Sequence, residues 1–250
     1  MSEEKKLTII GHLEELRKRL LRALIAVGIA TAISFFFAKY IFALLESRAE
    51  GINLIYIEMT EMLGTYCKVA FMAGLALAMP VLVYELVMFV QPALTRKEKR
   101  YLYTLLPGVM LSFAAGVIFG YFVLIPPAAH FLITFGSDIA TPQIKVGNFV
   151  SVMVRLLFAI GFCFETPIII FFLSKIGIIT PQKLAKYRKH AIVGAFVLGA
   201  IITPTFDPVN QSLVAIPLIF LYEIGIWLAK LARKGEKRVT IPEIGIEERI

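Results

Sequence analysis

An all-α membrane protein with six transmembrane helices, both termini cytoplasmic and the last two helices short, is the fold class this sequence predicts. Three observations carry that expectation. Of the 250 residues 58% are apolar and the mean hydropathy is +0.80, against roughly 45–50% apolar for a soluble domain. The apolar residues gather into runs, most of them close to the roughly 20 residues a helix needs to cross about 30 Å of hydrocarbon. The basic residues cluster between alternate runs: six Lys or Arg precede Ala23, four lie in Gln91–Arg100, five in Lys175–Lys189 and six from Lys230 onward, 21 of the 26 in the chain. Basic loops retained on one side place both termini in the cytoplasm.

The first run, about 20–45, has Arg22 and Lys39 near its ends, where long side chains reach back to the interface. It is preceded by His12-Leu13-Glu14-Glu15-Leu16-Arg17-Lys18-Arg19-Leu20. At 100° per residue Leu13, Leu16, Leu20 and Leu24 share one side with Ile9, and the glutamates point away from it. Each acid has a base four residues on, Glu14 with Lys18 and Glu15 with Arg19. The stretch reads as an amphipathic lead-in helix at the membrane surface.

The second run, about 66–90, follows a polar segment with Glu58 and Glu61, and carries Pro80 and Glu85. A short basic connection leads to the third, about 101–125, which is uncharged and stopped by Pro126-Pro127; Ala128–Asn148 reads as a linker. The Gly116/Gly120 pair in the third run is a helix-packing pattern. The fourth run spans about 149–174, the fifth 189–203 and the sixth 208–231, interrupted by Pro217. The apolar part of the fifth, Ala191–Thr203, reaches only about 20 Å at 1.5 Å per residue. Either the turn after it lies below the far surface or the bilayer thins there. The chain reads as a single integral membrane domain, 1–250, ending in a cytoplasmic tail at 232–250.

The net charge of +8 does not point to nucleic acid, because the basic residues sit between membrane spans. Cys67 and Cys163 lie in or beside apolar segments and read as small hydrophobes. No metal-ligand spacing occurs, and the first apolar run is too long for the core of a cleavable signal peptide. Phosphate-loop, zinc-protease and nucleophile-elbow motifs are missing from the sequence, so neither an enzyme nor a cofactor is expected.

Glu165 is the sole formal charge in the 18 residues Leu156–Leu173. A carboxylate at that depth is protonated, paired or wet. It reads as a neutral acid bonding a neighbouring helix, a proton relay, or a polar spot on a concave ligand-binding face, with Pro167 loosening the helix beside it. Glu98, in Thr95-Arg96-Lys97-Glu98-Lys99-Arg100, is by itself a solvated loop acid on the same side as Glu15. Asp207 caps or turns into the sixth helix, and Gln211 beside it bonds backbone or a partner.

In order along the chain, His12-Leu13-Glu14-Glu15-Leu16-Arg17 is like an H-L-x-E-L-R opening. Pro80, Tyr84, Phe89 and Pro92-Ala93-Leu94 lead to Glu98, and Phe164-Glu165-Thr166-Pro167 is like F-E-x-P. Thr203-Pro204, Asp207, Gln211, Ala215-Ile216-Pro217 and Tyr222-Glu223-Ile224-Gly225 complete the set. Together they resemble the TatC family, the multispanning receptor subunit of the twin-arginine protein translocase. Val87 and Phe206 stand where that family often has tryptophan and proline.

The resemblance implies an inner-membrane receptor for the Arg-Arg signal peptides of folded cargo, and a scaffold for translocation driven by the proton gradient. It implies signal-peptide binding at Glu15, Glu98, Arg17 and Phe89, and Glu165 as an intramembrane polar site. Gln211 and Asp207 would meet single-span TatA- and TatB-type subunits; membrane lipid and further copies of the chain complete the implied partners. A rival reading from the residues alone is a small-molecule or ion transporter using Glu165 at its midplane, which predicts an internal inverted repeat; a membrane enzyme comes third. If the fifth and sixth helices are a short pair, a nitroxide label at Phe206 should report a depth below the far headgroups. A fully aqueous signal at headgroup level would sink that expectation.

Overall fold

Helix formation in this chain follows from the solvent: inside a bilayer every backbone N–H and C=O must be satisfied within its own segment. The computed structural model describes residues 9–49, 54–90, 96–135, 139, 141, 143–203 and 208–234. Its elements are α1 (Ile9–Glu46), α2 (Glu61–Val90), α3 (Arg96–Phe119), a π-helical turn (Gly120–Leu124), α4 (Ile125–Thr134), α5 (Val146–Cys163), α6 (Thr166–Lys175), α7 (Pro181–Lys186), α8 (Arg188–Ile202) and α9 (Pro208–Lys234). Among the described residues five helical stretches are long and apolar enough to cross a membrane: Gly11–Glu46, Glu61–Phe89, Lys99–Thr134, Val146–Lys175 and Pro208–Arg233. At 15 residues, α8 reaches about 22 Å, short of a full bilayer core, whereas α9, expected to be short and interrupted at Pro217, runs through that proline for 27 residues, about 40 Å. The turn at 204–207, with Asp207, and the tail from 235 onward lie outside the described residues.

The lead-in at 12–20 is no separate surface helix. With no proline from Ile9 to Glu46, α1 runs unbroken for 38 residues, about 57 Å. Its leucine stripe faces outward, with Leu13, Leu20 and Leu24 exposed. Such outward apolar residues recur around the bundle, Phe36, Phe122 and Trp227 among them, as suits a protein whose solvent is lipid.

The third apolar run continues past Pro126-Pro127, where the sequence reads a linker. Both prolines occupy the first turn of α4, where missing N–H groups cost nothing, and the preceding π-helical turn absorbs the change of register. At the same end of the bundle the loop after α1 is tied down. Ile55 and Lys145 form an isolated parallel bridge, and the Glu61 carboxylate accepts from the Gly147 and Ile57 amides at 3.0 and 3.1 Å.

Helices approach closely where glycine removes the side chain. A Cβ at Gly74 of α2 would lie 2.5 Å from the Thr31 Cα of α1, and one at Gly116 of α3 would lie 2.8 Å from the Gly161 Cα of α5. Small residues at these crossings are what packing in lipid requires. The core above them includes Ala38, Leu45, Val69, Val150, Met153 and Ile160. At the other end of the bundle α6 is joined to α9 by Ser174 Oγ donating to the Ala229 carbonyl at 3.2 Å and by Lys175 Nζ donating to that of Ala232 at 3.2 Å.

Gly74→Ala should destabilise the protein by about 1–3 kcal/mol, the usual cost of overpacking, because the clash is with backbone that cannot swing away. Gly28→Ala, which meets nothing within 4 Å, should be neutral or better. Thermal midpoints of the two variants in one detergent check this, and equal midpoints would contradict the close-packed crossing.

Candidate functional site

On α1, His12, Glu15, Arg19 and Arg22 are spaced by three, four and three residues, which puts them on one face. That face meets the end of α2, where Glu85 and Phe89 are one turn apart. The His12 ring stacks on Phe89 with centroids 4.3 Å apart and planes 18° from parallel. Arg19 sets Nε and Nη2 on Oε1 of Glu15 and donates from Nη1 to Oε2 of Glu85 at 3.2 Å. Arg22 Nη1 donates to the other Glu85 oxygen at 2.9 Å. Side-chain exposure is 13% for Arg19, 8% for Glu85 and 23% for Glu15. Two carboxylates and two guanidiniums thus balance along the seam. Pairing is what permits the burial, since an ionised group removed from water without a partner costs several kcal/mol.

The expected site residues fall in different places. Glu15 lies in this seam and Phe89 is its stacked end. Arg17 is on the exposed face of α1, beside the outward pair of Glu14 with Lys18 at 2.9 Å. Glu98 is the third residue of α3; its side chain lies outside the described residues. Gln211 sits on α9 and donates from Nε2 to the Phe196 carbonyl of α8 at 2.8 Å, so its amide nitrogen ties the last two helices together. Sequence reasoning placed Arg19 in a local helix pair and Arg22 at an interface, and passed over Glu85. A formal charge five residues inside an apolar run is the same signal that singled out Glu165, and it identifies Glu85 equally well.

Glu165 occupies the break between α5 and α6. Cys163 ends one helix, Thr166 begins the next with Pro167 in its first turn, and the Ser112 hydroxyl of α3 donates to the Phe164 carbonyl at 2.6 Å. The residue is 4% exposed. Neither carboxylate oxygen meets a donor at hydrogen-bonding geometry among the described residues, although the Phe113 amide is set against it. The side chain borders an apolar groove of 410 Å³ between α2, α3 and the α5–α6 pair, lined by Met79, Leu82, Leu106, Ile168 and Phe172 among others.

A bundle jacketed in apolar side chains, with a paired ionic seam at one end and an acid beside an apolar groove, defines a multispanning membrane protein. The profile of the Sec-independent protein translocase protein (TatC) matches residues 11–217. The TatC protein of Aquifex aeolicus is 42% identical over 234 residues, covering 91% of this chain and 97% of the relative. The chloroplastic TATC of Arabidopsis thaliana is 35% identical, covering 92% and 68%. A crystal structure of the twin-arginine translocase receptor TatC superposes with a TM-score of 0.79 at 43% identity, covering 88% of this chain and 99% of that one. The chain belongs to the TatC family. It is a protein-transport component and a multi-pass protein of the inner membrane.

A buried carboxyl without a partner is destabilising, at about 1–3 kcal/mol. Glu165→Leu should therefore raise the thermal midpoint of the isolated subunit in detergent. A fall would mean that the carboxyl holds a partner group that stabilises the fold.

Proposed function

We propose that the chain is the receptor subunit of a twin-arginine translocase, binding the Arg-Arg signal peptide of folded cargo on the cytoplasmic face and scaffolding the translocation site. Glu15 carries this reading: a partly exposed carboxylate at the basic end of the bundle, already holding a guanidinium on one oxygen, with no hydrogen bond to the other among the described residues. Its Oε2 faces His12 Nδ1 at 3.9 Å. A signal arginine is always charged and offers parallel N–H donors suited to such a group. Glu98, in the first turn of α3 and eight residues beyond the end of α2, is the second acid. Arg17 supplies repulsion against cationic peptides that lack the matching pair, and Phe89 the apolar contact.

The orientation follows from the basic loops: both termini cytoplasmic, with the short α8 and the full-length α9 completing six crossings within one membrane domain. The apolar part of the signal lies along the groove beside Glu165, in contact with lipid. Single-span TatA- and TatB-type subunits dock near α8 and α9, where Gln211 and Asp207 are the polar groups, and the proton gradient drives transport. Further copies of the chain associate around the same assembly.

A charge-assisted hydrogen bond contributes about 1.5–3 kcal/mol. Glu15→Ala and Glu98→Ala should each weaken binding of an Arg-Arg peptide by about 10- to 150-fold while leaving the protein inserted. Photocrosslinking from these positions to Arg-Arg and Lys-Lys peptides checks the assignment. Crosslinks indifferent to the arginines would leave both glutamates as surface charges.

A further inference from the structure

The carboxylate that the receptor reading assigns to a ligand arginine already holds one of the protein's own. Arg19 places two N–H groups on the single oxygen Oε1 of Glu15. This is not the fork arrangement in which a guanidinium takes both carboxylate oxygens. The third contact of Arg19, from Nη1, goes to Glu85 Oε2 at 3.2 Å. Glu85 in turn is held from its other oxygen by Arg22 at 2.9 Å. Arg19 therefore stands between two acids, and Glu85, held by Arg22 as well, does not depend on it for all of its pairing.

We infer that Arg19 is an internal stand-in for the signal arginine, holding Glu15 in the empty receptor and passing wholly to Glu85 when a ligand guanidinium takes Glu15. The inference rests on the receptor reading above. Its first support is chemical identity: ligand and stand-in present the same planar donor to the same carboxylate. The second is charge balance. Before the exchange Glu15 pairs with Arg19, and Glu85 with Arg19 and Arg22. Afterwards the ligand pairs with Glu15, while Glu85 keeps both internal arginines, so no ion is left alone in a site where Arg19 is 13% and Glu85 8% exposed.

The exchange also sets a threshold for selectivity. A lysine ammonium is a point donor that cannot match both oxygens of Glu15, so it displaces a guanidinium poorly. Glu85 touches no ligand in this scheme; it is a positioning residue that receives Arg19.

The test measures binding of fluorescent Arg-Arg and Lys-Lys signal peptides to the full-length protein in lipid nanodiscs. The variants are Glu15→Gln, Arg19→Gln, Arg19→Lys, Glu85→Gln and the double variant Arg19→Gln/Glu85→Gln. Removing the stand-in should tighten Arg-Arg binding about 5- to 10-fold, at the low end of the usual coupling between sites. It should tighten Lys-Lys binding at least as much, so that discrimination shrinks. Glu85→Gln should weaken Arg-Arg binding by a similar factor by stranding Arg19 on Glu15, and this effect should vanish once Arg19 is also replaced. Arg19→Lys keeps the helix charge and should fall between wild type and Arg19→Gln, which decides the matter if the glutamine variant fails to insert. Weaker Arg-Arg binding in a well-folded Arg19 variant, or a Glu85→Gln effect that persists without Arg19, overturns the exchange and spares the receptor reading. Arg-Arg binding untouched by Glu15→Gln refutes that reading at this carboxylate, and the exchange with it.

Discussion

A charge taken out of water must find an opposite charge or stay neutral, and in a bundle bathed in lipid this constraint governs where helices meet. The α1–α2 contact illustrates it. Glu85 lies inside the second apolar run, where an isolated carboxylate is expensive. It is tolerated because Arg19 and Arg22 approach from α1 on either side of its two oxygens. Those arginines in turn are oriented by the helical spacing that also presents His12 to Phe89 and Glu15 to Arg19. One seam thus ties the register of α1 against α2 to the pairing of all four ions.

The same constraint is left unresolved at Glu165. The seam charges are matched. The Glu165 carboxyl is buried, yet among the described residues its oxygens find no donor at bonding geometry, and its helix is interrupted beside it. The adjacent groove is apolar on every side but this one.

Close packing supplies the remaining rigidity. Without a hydrophobic force between helices in lipid, association relies on shape and on hydrogen bonds. The contacts at Gly74 with Thr31 and Gly116 with Gly161 bring backbones together. Tyr222 OH on the Leu184 carbonyl at 2.9 Å and Arg188 on Glu223 at 2.7 Å fasten α7 and α8 to α9 at the basic end. At the other end the Ile55–Lys145 bridge and the Glu61 carboxylate close the loop after α1. The concave groove lies between these tied ends.

By itself the sequence determined that the chain is helical and membrane-embedded, that its basic segments alternate with apolar runs, and that Glu15 and Glu165 were worth singling out. Those properties are local or periodic: hydropathy over 20 residues, charge between runs, a lone acid in an apolar stretch. It also showed the Glu15–Arg19 pair, since both residues lie on one helix one turn apart. The union of that pair with Glu85 and Arg22 was decided by the tertiary structure, because the partners are 66 and 63 residues apart and no spacing rule links them. The continuation of the third run through Pro126-Pro127 was decided there too. A proline pair reads as a stop along the chain, and whether it starts a new helix instead depends on whether the neighbouring turn can widen to accommodate it.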